Sequence, residues 1–300
     1  MPVQATTWLL ALAPVTERDR AEVSWSGTVA AAWEHRRDRQ LERHRRTSEW
    51  LVDQVAPRPG QTILELAAGP GETGFLAAER VGPGGRLIST DITPAMVEAA
   101  RRGAAARGFG NVECRVMDAQ HIDLPDDSVD GVLCRFGLML MPEPHRALSE
   151  ASRVLRDDGR LAYAVFGQPE QNPWITSLAR AIDEAGQHVA GDPFGPDGPF
   201  FSLAEPGTNR DLLDAAGFSD VRVEEIAEAR RYDGFDDYWD HHSLATPPVA
   251  ALVSSLPAED IESIRATLRP KLEQFRTGTG YEIPSLVVAV SATPARTARS

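Results

Sequence analysis

From Gln61 to Phe166 the chain alternates short aliphatic runs with segments of helical periodicity, and no other feature constrains the fold as much. Thr62–Ala67, Arg86–Thr90, Val112–Met117, Val129–Cys134 and Arg160–Phe166 read as strands. The stretches between them carry helix punctuation. Thr93-Pro94 supplies an N-cap and an N1 proline, Gly108 closes that segment, and Gly159 follows a helix that begins near Pro144. Alternation of this kind means βαβ units, right-handed crossovers and a parallel sheet, so the fold class is α/β.

The flanks read differently. Ser24 to Val55 is helix-like and carries six Arg and three acidic residues between Glu34 and Arg46. That face reads as solvated and laced with ion pairs, or, more sharply, as a basic patch for an anionic substrate group. Gln168 to Pro206 holds six prolines and reads as an irregular excursion. Thr208–Ala216 reads as a helix ended by Gly217, with strands at Val221–Ile226 and Ile283–Val290 after it. Asp233 to Gly280 is mostly helical, with Ile261, Ile264, Leu268, Leu272 and Phe275 on one stripe and a kink at Pro270. The expected organisation is an N-terminal extension over 1–50, a core over 51–167, a cap excursion over 168–206, and the end of the sheet over 207–300 with a helical insertion near 233–280.

The 300 residues include 31 Lys and Arg against 44 Asp and Glu, a formal charge of −13. A balance this acidic argues against nucleic acid and against an anionic membrane surface as partners. No apolar stretch approaches the roughly 20 residues of a membrane span. The apolar run near the N-terminus lacks a preceding Lys or Arg, so a signal peptide is not expected and a cytoplasmic enzyme is the default. Cys114 and Cys134 lie in apolar runs and read as reduced core residues. The cluster Asp236, Asp237, Asp240, His241 and His242 has no spacing that enforces convergence, so no metal is expected.

The stretch after the first strand, Glu65 to Gly74, carries the chemistry. Gly69-x-Gly71-x-x-Gly74 fits a dinucleotide fingerprint, with Asp91 at the end of the next strand. An NAD(P)-dependent oxidoreductase is therefore one reading. Glu65 opposes it by placing a carboxylate where a pyrophosphate would be repelled, and Pro70 opposes it by removing a backbone donor. A cationic ligand suits both residues better.

At this point the chain resembles the class I S-adenosylmethionine-dependent methyltransferases, in particular the group around the ubiquinone/menaquinone-biosynthesis C-methyltransferases. Four motifs carry the resemblance in order: Glu65-x-Ala67-x-Gly69-x-Gly71, Ser89 to Met96, Met117-Asp118-Ala119 with Leu124 to Asp130, and Arg153 to Leu161. Ala67 stands where the family usually has its first glycine, and Asp157-Asp158 replace the common Pro-Gly. The resemblance implies a Rossmann-like, seven-stranded, mostly parallel sheet with helices on both faces and helical cap insertions.

It also implies S-adenosylmethionine as cofactor, released as S-adenosylhomocysteine, and methyl transfer to a small acceptor at carbon or oxygen. The backbone from Gly69 to Gly71 would lie against the methionine portion, with Glu65 orienting the loop. Asp91 would accept the ribose hydroxyls, while Ile92 and Met96 would pack on adenine. Asp118 and Ala119 would meet the adenine edge, and Arg135 with Phe136 would face the methionine moiety and the substrate. Trp33, Phe136, Trp174, Phe200 and Tyr238 would wall an apolar or aromatic acceptor pocket. His241 is the candidate base, with His242 and His145 as the other histidines considered. A non-catalytic binding protein on the same fold and a homodimer remain open.

Overall fold

The computed structural model describes residue 25, residues 27–195 and residues 198–295. The N-terminal apolar run and Pro196 lie outside the described residues.

Five parallel strands follow the sequence reading closely: β1 (Thr62–Leu66), β2 (Arg86–Asp91), β3 (Val112–Val116), β4 (Val129–Arg135) and β5 (Leu155–Phe166). Two longer strands, β6 (Phe218–Tyr232) and β8 (Gly280–Pro294), complete a path of order β3-β2-β1-β4-β5-β8-β6. The two-residue β7 (Arg276–Thr277) pairs with β8 off this path, so the sheet has eight strands where seven were expected. β8 runs antiparallel to both of its neighbours, which makes β6 parallel to β5. Strand β1 is buried on both faces, which is why its sequence is apolar from Ile63 to Leu66 apart from Glu65 rather than alternating.

Helices cover both faces. Leu51, Val52 and Val55 of α3 (Arg45–Val55) share a core with Phe75, Ala78 and Val81 of α4 (Glu72–Val81) against one side. Against the other side pack α6 (Pro144–Val154), α7 (Pro173–Glu184), α8 (Pro206–Ala215) and α11 (Ala258–Leu272). Ile264, Leu268 and Leu272 form a fully buried i, i+4 stripe on α11, which packs on α7. Pro270 lies inside that helix.

Three expectations change. The N-terminal helical segment is three helices, α1 (Gly27–His35), α2 (Arg37–Arg43) and α3, broken at Arg36 and His44. The proline-rich excursion is not irregular throughout. Pro173 and Pro206 begin α7 and α8, and Pro169 and Pro199 begin 3₁₀ turns, all at positions where a missing N–H costs no helical hydrogen bond. Thr93 precedes α5 (Pro94–Ala106) in extended conformation, yet its hydroxyl makes no capping bond.

Strands β6 and β8 pair over 15 residues each, well beyond the short apolar runs that marked them. Past Ile226 the β6 sequence alternates charged residues, so only its middle looks like a buried strand. Its far end, Tyr232, leads into α9 (Phe235–Ala245), α10 (Pro247–Ser255) and α11. Because β6 is parallel to β5, this helical insertion stands at the carboxyl edge of the sheet. The order reverses direction between β1 and β4, and a crevice at that switch point is where open α/β sheets bind ligands.

Candidate functional site

A cavity of about 220 Å³ opens at this edge. One side of it is made of loop backbone. After β1 the chain takes left-handed conformations at Ala67 (φ 48°), Gly69 (φ 54°) and Gly71 (φ 94°). Ala67 holds a conformation that disfavours a side chain, and its methyl group also closes on Gly137, where a Cβ would come within 2.3 Å. A Cβ at Gly69, in contrast, would meet nothing within 4 Å, so the chain leaves open space over that turn.

Asp91, at the end of β2, clamps this loop. One carboxylate oxygen accepts the Gly69 N–H at 2.9 Å and the other accepts the Thr93 N–H at 2.9 Å. Burial pushes the carboxyl above its usual range, while both N–H groups pull it back down. Each oxygen keeps lone-pair capacity beyond these bonds. Ile92, Met96, Met117, Asp118 and Ala119 line the same side, and Asp118 accepts the Gln120 N–H at 2.9 Å.

Glu65 sits behind the loop rather than on the cavity. It accepts the Gly74 N–H at 2.8 Å and the Ser89 hydroxyl at 3.2 Å, bracing the start of α4 against β1 and β2. Burial raises its carboxyl to about 8. Beside it Glu72 makes no hydrogen bond from either carboxylate oxygen and is held between Arg37, 3.2 Å away, and Arg135, 4.0 Å away. Arg135 donates through Nε to Thr73 at 2.8 Å and lines the cavity with Nη1 unpartnered.

The other side is made of side chains. Phe136 follows β4 in a left-handed conformation (φ 60°), anchored by its N–H to the Ala164 carbonyl at 2.8 Å. Strain of this kind in a bulky residue concentrates at functional sites. Its ring stacks on Phe166 at 4.4 Å, and Phe166 meets Trp174 and Phe200. Trp33 reaches the cavity from α1 and ties the cap by donating Nε1–H to the Ala245 carbonyl at 2.7 Å.

The residues expected from sequence therefore divide. Ala67, Gly69, Asp91, Ile92, Met96, Asp118, Ala119, Arg135, Trp33, Phe136, Trp174, Phe200 and His241 all line one cavity. Glu65, Gly71 and Tyr238 do not. Gly71 begins α4, where a Cβ would strike the Phe75 ring at 2.8 Å. Tyr238 is fully buried behind the wall and positions Trp174 by donating to its carbonyl at 2.6 Å.

His241 is buried, and burial, then the neighbouring His242 and arginines, drive it well below the usual imidazole range. Its Nδ1 faces Arg43 Nη1 at 3.3 Å. Because a guanidinium only donates, Nδ1 is the acceptor and the ring proton sits on Nε2. With Nδ1 occupied by Arg43 and Nε2 carrying the proton, neither ring nitrogen is left as a free acceptor, which opposes the expected role as base. His242 is held away from the cavity between Tyr232 and Thr246.

Several cavity residues escaped the sequence reading, including three polar ones from α2, the α2–α3 junction and β6. His44 and Gln40 lie one turn apart at the α2–α3 junction, on a buried polar stripe that their i, i+4 spacing with Ser48 could have flagged. His44 places Nδ1 at 3.4 Å from Glu228, which is itself fixed by the Thr47 N–H at 2.9 Å and hydroxyl at 2.7 Å. Arg230 of β6 is the third, and nothing in its charged, alternating surroundings marks it. Of the two readings of the arginines between Glu34 and Arg46, the ion-paired one holds, and the pairs act as tethers. Arg36, Arg39 and Arg43 converge on Asp237 of α9, and Arg37 pairs with Glu72.

The arrangement can hold an extended ligand along the loops and a flat apolar one against the ring-lined wall. Residues 57–192 match the family model described as a methyltransferase domain. An arsenite methyltransferase of Halobacterium salinarum is 34% identical over 186 residues, covering 62% of this chain and 44% of that protein. A ubiquinone/menaquinone biosynthesis C-methyltransferase of Hahella chejuensis is 32% identical over 165 residues, covering 54% and 66% respectively. The chain thus spans less than two thirds of either relative's length. The YcgJ protein of Bacillus subtilis shares the fold, with a TM-score of 0.58 at 18% identity over 85% of this chain and 100% of that one.

Proposed function

We propose that this chain, whose residues 57–192 match the model of a methyltransferase domain, transfers a methyl group from S-adenosylmethionine to a small, apolar or aromatic acceptor. The observation that carries the proposal is the Asp91 clamp. It fixes the open turn at Gly69 and leaves a carboxylate on the cavity wall at the end of β2. A carboxylate there suits ribose hydroxyls, since its backbone donors use only part of the lone-pair capacity of its two oxygens.

The remaining cofactor contacts follow from what the wall offers. Ile92 and Met96 give an apolar surface for adenine, and Asp118 gives an acceptor for its amino group. The unpartnered Nη1 of Arg135 would be the donor for the methionine carboxylate. Bound S-adenosylmethionine supplies a methyl group on a positively charged sulfur. The chain's own work is to align and to exclude water. Phe136, Phe166, Trp174 and Phe200 form a dry, ring-lined wall, and orientation of this kind lowers barriers by roughly 7–11 kcal/mol.

An acceptor that arrives as a hydroxyl or acidic C–H must lose a proton. His44 directs Nδ1–H to Glu228 and keeps Nε2 as an acceptor. Burial lowers its pKa to about 3, too low for a base that carries a proton away, so its part is to accept a hydrogen bond from the acceptor's hydroxyl. The two relatives named above act, by name, on arsenite and on a quinone precursor's carbon, so the acceptor atom is set by these walls rather than by the shared domain.

Titration calorimetry with S-adenosylhomocysteine and, separately, with NADH tests the proposal. Binding of S-adenosylhomocysteine alone is expected. Binding of NADH without S-adenosylhomocysteine would replace methyl transfer by hydride transfer.

A further inference from the structure

Arg230 stands apart from the other arginines around the cavity. It is 3% exposed, and its Nε and Nη2 have no hydrogen-bond partner. Among the described residues no carboxylate forms an ion pair with it. Glu228, two residues earlier on the same face of β6, is committed to His44 and Thr47. The other groups around Arg230 are rings and cations. Its guanidinium lies 3.3 Å from the centre of the Trp174 ring and 5.2 Å from that of Phe166. Tyr232 is its hydrogen-bonding neighbour, while Arg43, His44 and His241 add no negative charge nearby. Burial lowers its pKa to about 10, which still leaves it charged at neutral pH.

A buried, charged guanidinium with two unused donors is costly unless a ligand completes it. The cation–π contact with Trp174 offsets part of that cost and fixes the plane of the fork, yet it leaves the in-plane N–H groups unsatisfied. Gln40, 1% exposed on the same cavity, likewise has an unpartnered Oε1. The carboxylates on the cavity, Asp91 and Asp118, lie on the loop side with the methyl donor, and Glu228 is held by His44 and Thr47, so none of them pairs with the Arg230 fork.

We propose that Arg230 anchors an anionic oxygen of the acceptor, which makes the acceptor class an aromatic carboxylic acid. Its ring system lies along Phe136, Phe166 and Trp174, its carboxylate meets the Arg230 fork, and Gln40 Oε1 accepts from a ring hydroxyl. This rests on the methyl-transfer reading, because it takes the anion to be the acceptor.

The test uses the full chain saturated with S-adenosylhomocysteine, titrated with benzoate, 2-naphthoate and anthracene-2-carboxylate and with the three matching neutral amides. At least one acid should bind about ten- to a hundredfold more tightly than its amide, the range for a lost charge-assisted hydrogen bond. Arg230→Gln should erase that preference, Arg230→Lys should retain part of it, and both should keep S-adenosylhomocysteine affinity within about threefold of the parent. Equal binding of acids and amides, no binding of any acid, or a preference that survives Arg230→Gln overturns the proposal. Failure of the parent protein to bind S-adenosylhomocysteine overturns the methyl-transfer reading instead.

Discussion

The two sides of the cavity are built by different means. On the loop side the ligand-facing groups are backbone and short side chains, and the bonds that fix them are local: Asp91 holds Gly69 and Thr93, and Glu65 holds Gly74. On the opposite side the facing groups are rings and a guanidinium brought together from α1 through β6. Their supports span the chain, as in Trp33 to Ala245 and Tyr238 to Trp174. A site made of backbone specifies one ligand tightly, whereas a wall of side chains on long-range tethers can be refitted without disturbing the first. The division separates cofactor affinity from acceptor choice.

The strongest way to break the loop side is Asp91→Ala. It strands the Gly69 and Thr93 N–H groups and removes the carboxylate, so S-adenosylhomocysteine affinity should fall at least about a hundredfold by calorimetry. A tenfold loss or less would mean that the clamp is not the anchor. The matching break on the wall is Asn172→Leu. Asn172 is fully buried, bonds the carbonyls of Gly167, Gln168 and Leu286, and accepts from Trp174, Ser285 and Leu286. Leaving those groups unsatisfied should lower Tm by roughly 10 °C. The folded fraction should still bind S-adenosylhomocysteine, which calorimetry below the transition would check.

A smaller effect separates the loop's brace from its contact surface. Glu65 keeps its proton to about pH 8 in the folded chain against a reference of 4.5. The native state therefore binds more protons than the unfolded state between these values, and stability falls as pH rises through that window. Glu65→Gln should remove this slope, so that urea midpoints of variant and parent diverge from pH 5 to 8 in the variant's favour. Parallel curves would count against a buried, protonated Glu65. The smallest effect is Ala67→Gly. It relieves the left-handed strain at φ 48° and should raise stability by about 1 kcal/mol in the same denaturation assay, with cofactor affinity unchanged.

The loop side was readable from sequence because its signals are local. Glycine spacing, the carboxylate ending β2 and the apolar runs between them each concern a few consecutive residues, and β1 to β5 lie within a few residues of their expected bounds. Gly71 was placed on the ligand although it lies off the cavity against Phe75, while Glu65, read as orienting the loop, braces it from behind; spacing alone cannot tell a brace from a contact. The wall was readable only in part. Trp33, Trp174 and Phe200 announce themselves as aromatics, whereas Tyr238 looks the same in sequence and turns out to support Trp174. His44 and Arg230 come from segments 186 positions apart and acquire meaning only when β6 runs past the sheet edge beside α3. The arginines between Glu34 and Arg46 were open to two readings, an ion-paired face or a patch for an anion, and the structure shows the ion pairs.

Hydrogen–deuterium exchange with and without S-adenosylhomocysteine tests the division most directly. Protection on binding is expected at residues 67–71, 91–96 and 117–120, with little change over α9 to α11. Protection concentrated in α9 to α11, or spread evenly over both sides, would contradict a cavity whose cofactor affinity resides in the loops.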